Sequence, residues 1–218
     1  MKTFSLSKIV LFLCLVTSLA SCQKEVSFQE DQDPGGDPPP GPGANDILGD
    51  WNFIGEEVDT RASLAIVESG SEIKAVTTSS YITTENTGSA KITANQFIFT
   101  GISTRVTTVA NTKTYLDGIL FDDTDTPFDE VTPPTDNTAD YVRNSPDSIT
   151  FPNAFALVPD VGGTGTPTLN GPLGARISVS NDTLTMRIKS GFVRNVIESG
   201  IPAIMDVSFA AEMKFEKK

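Results

Sequence analysis

The chain has 218 residues and a formal net charge of −12, with two cysteines, no histidine and one tryptophan. Without histidine there is no imidazole base, no Ser-His triad and no imidazole ligand for zinc, and two cysteines cannot build a four-thiolate metal site. The acidic balance argues against a nucleic-acid partner, because the phosphate backbone is bound by basic surfaces that release its counterions.

Residues 1–21 hold Lys2, Lys8, no acid, and an apolar stretch from Ile9 to Ala20. That stretch is too short to cross a ~30 Å hydrocarbon core as a helix and has the length of a signal-peptide core. It ends in Leu19-Ala20-Ser21-Cys22, which resembles the lipobox of bacterial lipoproteins. The resemblance implies cleavage between Ser21 and Cys22 and acylation of the Cys22 thiol; an ordinary secretory signal is the alternative. Cys14 would then leave with the signal and Cys22 would be consumed as the anchor, leaving 14 basic against 28 acidic side chains. Acyl chains contribute ~0.8 kcal/mol per buried CH₂, so the implied partner is a membrane. Gln23-Lys24-Glu25 lacks an aspartate at the second mature position, and its basic-then-acidic start resembles the surface-export signal of Bacteroidota lipoproteins. The location expected is the outer membrane, on its periplasmic or its outward face.

Residues 30–43 read EDQDPGGDPPPGPG. Such a segment cannot bury enough apolar surface to offset its ordering entropy, and its prolines favour extended polyproline II. The division expected is a signal at 1–21, a lipidated cysteine and acidic linker at 22–44, and one domain at 45–218.

Within that domain, strands are expected in order at 51–58, 63–67, 73–84, 91–109, 114–121 and 148–158. The clearest period-2 alternation comes at the end. Ile177 and Val179 lead through Asn181-Asp182, a pair able to take the positive φ angles of a tight hairpin, into Leu184, Met186 and Ile188. Val207, Phe209, Ala211, Met213 and Phe215 then share one face, with Ser208, Ala210, Glu212 and Lys214 on the other. Only 192–198 has a helical pattern, enough for one or two turns. The fold class expected is all-β: an antiparallel up-and-down barrel, or alternatively a β-sandwich.

Leu48-Gly49-Asp50-Trp51 stands at the mouth of the first strand. This resembles the lipocalin-like domains of Bacteroidota lipoproteins, which open with Leu-Gly-x-Trp. The resemblance implies an eight-stranded barrel holding one small apolar ligand, with the tryptophan packed across the closed end under a basic side chain from the last strand, here Lys214. The family's second motif is met only loosely, by Ala139-Asp140-Tyr141. Strand parity then places 159–174 and 190–203 at the open mouth and the acidic loop 122–147 at the Trp51 end.

The densest acid cluster runs from Asp122 to Glu130. Asp123, Asp125 and Asp129 are candidate oxygen ligands for Ca²⁺, but the EF-hand order and its glycine are missing and Pro127 breaks the run, so a solvated loop is the alternative. Nothing in the sequence selects a carboxyl pair with glycosidase spacing. No cofactor and no catalytic activity are expected. The leading expectation is a lipid-anchored barrel binding a small apolar or amphiphilic molecule, with Ile177, Met186, Phe192, Phe209 and Met213 as candidate lining residues. The second is a structural or adhesion module with a fully packed interior. The two differ in whether the interior is open or filled.

Overall fold

A computed structural model of the protein describes residues 47–153, 171–198 and 200–218. The signal, Ser21, Cys22 and the linker lie outside these residues, as does the 154–158 part of the strand expected at 148–158. Every element among the described residues is a strand: β1 (Gly49–Glu68), β2 (Ser71–Ile82), β3 (Thr84–Ile92), β4 (Gln96–Leu116), β5 (Ile119–Val131), β6 (Thr135–Asp140), β7 (Val142–Ser145), β8 (Ser148–Phe151), β9 (Leu173–Ser180), β10 (Thr183–Glu198) and β11 (Ile201–Lys217). All eleven belong to one sheet, and every strand pairing among the described residues is antiparallel.

Chain order and spatial order nearly coincide. β2 and β3 act as two halves of one long strand between β1 and β4, and β5 and β6 as two halves of another on the far side of β4. The one long-range step joins the ends of the domain. β1 pairs with β11 from Trp51↔Lys217 to Ile66↔Ala203.

Turn chemistry explains the meander. Ser69-Gly70, Asp117-Gly118 and Asn181-Asp182 all sit at positive φ, the backbone of a two-residue hairpin whose twist matches its strands. The Asn181-Asp182 turn is where the alternation places it. The Asp117-Gly118 turn splits the stretch 114–121, expected as one strand, into the end of β4 and the start of β5.

Two further expectations are corrected. Residues 192–198 are not helical; they complete β10 and pair with β11 from Phe192↔Val207 to Glu198↔Ile201. The acidic run is not a loop beside Trp51. It is strand β5, and it starts at the tip remote from Trp51, with Leu116↔Ile119 and Thr114↔Asp122. Its partner strand makes the difference, because β4 sets polar and basic groups opposite the acids. Lys113 Nζ lies 3.7 Å from Asp123, Arg105 Nη1 2.8 Å from Asp129, and Asn111 Nδ2 donates to Asp123 and Asp125 at 2.6 and 2.9 Å.

The core gathers at the Trp51 end. Phe97 on β4 has its ring centroid 5.0 Å from Tyr141, 5.9 Å from Phe99 and 5.5 Å from Phe151 on β8. Along the sheet β8 is six strands from β4, which would be roughly 29 Å in a flat sheet at ~4.8 Å per strand. The sheet therefore curls until its two flanks touch through their inward aromatics. Phe215 on β11 joins from below, 5.5 Å from Phe53 and 6.3 Å from Phe99. At the opposite end the β1–β2, β4–β5 and β10–β11 hairpins project together and expose Val67, Ile119, Phe121 and Ile197.

Phe97→Ala should lower unfolding free energy by about 3–5 kcal/mol, the range for emptying a buried aromatic site. Ile119→Ala, at a hairpin tip 75% exposed, should stay within about 0.5 kcal/mol. Urea unfolding of both variants measures the contrast.

Candidate functional site

β1 alternates with buried Trp51 and Phe53 and exposed Asn52 and Ile54, until the register slips. Phe53 faces Phe215, Gly55 faces Lys214, and Glu56 faces Met213, so one extra residue is inserted between Phe53 and Gly55. This is a β-bulge. Gly55 holds φ +144, and a Cβ there would come within 2.7 Å of Asn86 Nδ2. The Asn86 amide fills the kink, donating to Ile54 O at 2.9 Å and to Thr83 O at 3.2 Å. Beyond the bulge the faces have exchanged parity, and Glu56 takes the inward place beside Val58 and opposite Met213.

Glu56 is 4% exposed. Its backbone is well held: its N–H donates to Thr83 Oγ1 at 2.9 Å and its carbonyl accepts from Thr83 N at 2.9 Å. Its side chain is not. Oε1 is buried with no hydrogen-bond partner among the described residues, and Asn86 Oδ1 is in the same condition. Burial alone pushes the Glu56 carboxyl from 4.5 up to about 8, because a desolvated carboxylate is disfavoured against its neutral form.

The inward face changes character at this level. On the Trp51 side it is aromatic and aliphatic. On the other side it carries hydroxyls: Tyr81 and Thr83 are buried next to Glu56, and Thr60 Oγ1 meets Ser79 Oγ at 2.9 Å. Further out, Thr77 Oγ1 meets Thr112 Oγ1 at 2.9 Å. Glu56 stands at the boundary. Period-2 spacing alone assigns Glu56 to solvent, and the one sequence signal that shifts it inward is Gly55 in mid-strand, where glycine often marks a bulge.

The candidate lining residues divide. Ile177, Met186, Phe209 and Met213 all belong to one packed apolar cluster with Trp51 and the core phenylalanines. Phe192 lies further along β10, half-buried, with the Arg194 guanidinium 4.9 Å from its ring centroid. Phe192 and Trp51 occupy opposite ends of the sheet, being paired with Val207 and Lys217 respectively.

Trp51 is fully buried, and its indole N–H donates to Ile47 O at 2.8 Å. Gly49 opens β1 at φ +121. The cation over the indole is not Lys214 but Lys217, whose Nζ is 5.5 Å from the ring centroid. Lys214 has the opposite parity and turns outward to Glu212 at 3.0 Å. Burial works against the Glu212 carboxylate, but hydrogen bonds from Arg187 and Lys214 outweigh it and hold the group below its ordinary value. Asp123, Asp125 and Asp129 project from β5 toward Asn111, Lys113 and Arg105. Among the described residues no group of three His, Cys, Asp or Glu side chains is placed to hold a metal ion.

No protein-family model, curated protein or solved structure matches this chain.

Glu56 has a sign that can be measured. The folded state keeps the Glu56 proton up to about pH 8, whereas the unfolded chain releases it near 4.5, so rising pH favours unfolding across that window and stops doing so above it. The loss approaches about 4–5 kcal/mol at its limit. Glu56→Gln should remove this decline, so that the wild type and the variant diverge from pH 5 to pH 9 in urea unfolding. Parallel curves would show that the carboxyl is solvated.

Proposed function

We propose that this chain is a non-catalytic, lipid-anchored module of the cell envelope whose curled sheet forms a barrel-like body and takes a small apolar or amphiphilic molecule into its interior. Cys22, freed by cleavage after Ser21, is the acylated residue, and the acidic Pro/Gly-rich linker spaces the body from the outer membrane, on its periplasmic or outward face. The observation that carries the ligand reading is the inward face at Glu56. Its chemistry passes from buried aromatics to a buried carboxyl and then to buried and half-buried hydroxyls. A body filled only for stability gains nothing from a buried acid without a partner, since burying such a group is unfavourable unless something pairs with it.

A second reading has its own support. Ile177, Met186, Phe209 and Met213 pack into one cluster with the core aromatics, as they would in a structural or adhesion module acting through its surface. In the ligand reading Ile177, Met186 and Met213 form the floor of the site, and the ligand would lie on the hairpin-tip side of Glu56, alongside Phe209.

Native mass spectrometry of the full chain purified from its own membranes separates the two readings. A small-molecule adduct lost on denaturation supports the first, and a single bare mass supports the second. The anchor is tested separately. Radiolabelled palmitate should enter the wild-type protein, and Cys22→Ser should abolish incorporation and release the protein into the soluble fraction.

A further inference from the structure

We propose that Glu56 is the headgroup site of the interior, and that the ligand it selects is an amphiphile carrying a protonated amine. This deepens the ligand reading above and rests on it. Glu56 lies on the inward face at 4% exposure, and Oε1 has no donor within reach among the described residues. The inward residues around its level are Val58 on β1, Tyr81 opposite Val58 on β2 and Met213 opposite Glu56 on β11, with Val106 of β4 in the same buried cluster. Tyr81 is the one titratable group in that set, and no charged side chain acts on the carboxyl.

Four basic residues of the surrounding strands are engaged with surface acids. Arg105 holds Glu85 and Asp129, Arg187 and Lys214 both hold Glu212, and Lys113 holds Asp123. A buried carboxyl needs a hydrogen-bonded cation to become charged without a large desolvation penalty. The described residues of the protein do not provide one. A ligand ammonium donating to Oε1 would. The hydroxyls of Thr60 and Ser79, bonded to each other at 2.9 Å, follow further along the same face. Opposite these hydroxyls and onward toward the hairpin tips, β11 and β10 set Phe209, Val207 and half-buried Phe192 on the inward face, which suits an alkyl tail running in that direction.

The proton balance is explicit. The neutral carboxyl gives up its proton to solvent as the alkylammonium arrives, leaving a carboxylate–ammonium pair in place of a buried acid. Binding therefore releases up to one proton per ligand near neutral pH. It also strengthens as pH rises through the neutral range.

Octylamine, octan-1-ol and octanoate share a chain length and differ in the headgroup, so calorimetry of the full chain with these three probes tests the proposal. At pH 7 octylamine should bind about tenfold tighter than octan-1-ol, with proton release revealed by buffers of different ionisation enthalpy, and octanoate should bind weakest. Glu56→Gln should lose the octylamine preference and the proton release while retaining octan-1-ol. If that variant does not fold, the ranking of the three probes on the wild type still decides. Equal affinity for amine and alcohol, or a preference for octanoate, overturns the amine site and leaves the interior-ligand reading standing. Failure of all three probes to bind overturns both.

Discussion

The ladder between β1 and β11 is the constraint on which the rest of the structure depends. Without it the meander is two separate sheets, β1 to β6 and β7 to β11, each with a raw edge and an uncovered apolar face. With it, Phe53 meets Phe215, Val58 meets Ala211, and Trp51 comes under Lys217. It is also the contact of greatest sequence separation in the sheet, so its closure entropy must be met before the core can reward it. The hairpins at Ser69-Gly70, Asp117-Gly118 and Asn181-Asp182 form locally and reduce that penalty by presenting β1 and β11 already flanked.

Outward and inward faces divide the electrostatics of the domain. The ion pairs at Arg105, Lys113, Arg187 and Lys214 are solvent-facing cross-strand contacts, each contributing little to stability in water. They matter more for register, since each fixes which residues of adjacent strands stand opposite one another. The inward face is held instead by burial, from Ile47 and Trp51 at one end to Met213 and Ile177 in the middle. Glu56, the one carboxyl buried among the described residues, has no charged side chain acting on it.

Where alternation was uninterrupted, the strands could be read from the residues. Residues 207–215 and the hairpin at Asn181-Asp182 have the faces and turn that period-2 spacing assigns, because nothing but the pleat decides them. The failures come where a partner strand decides. The acidic stretch of β5 looks like solvated loop in isolation and becomes strand because Arg105, Asn111 and Lys113 stand opposite. Residues 192–198 have a helical spacing of apolar positions, yet β-branched Val193, Val196 and Ile197 complete a ladder with β11. Lys214 is the one basic residue inside a last strand that ends at Phe215; the strand instead runs on to Lys217, which has the parity of Phe215 and stands over Trp51. Glu56 was hidden by the same arithmetic, since a bulge cannot be counted from hydrophobic spacing.

One inserted residue at Gly55 divides β1 into two strands with opposite handed assignments of side chain to face. Residues before it obey one parity and residues after it the other, so the strand that begins by turning aromatic rings inward continues by turning an acid inward. A mid-strand glycine thereby acts as a phase shift in the sequence: it lets one uninterrupted ribbon build a dry floor and a polar storey above it, with no loop between the two.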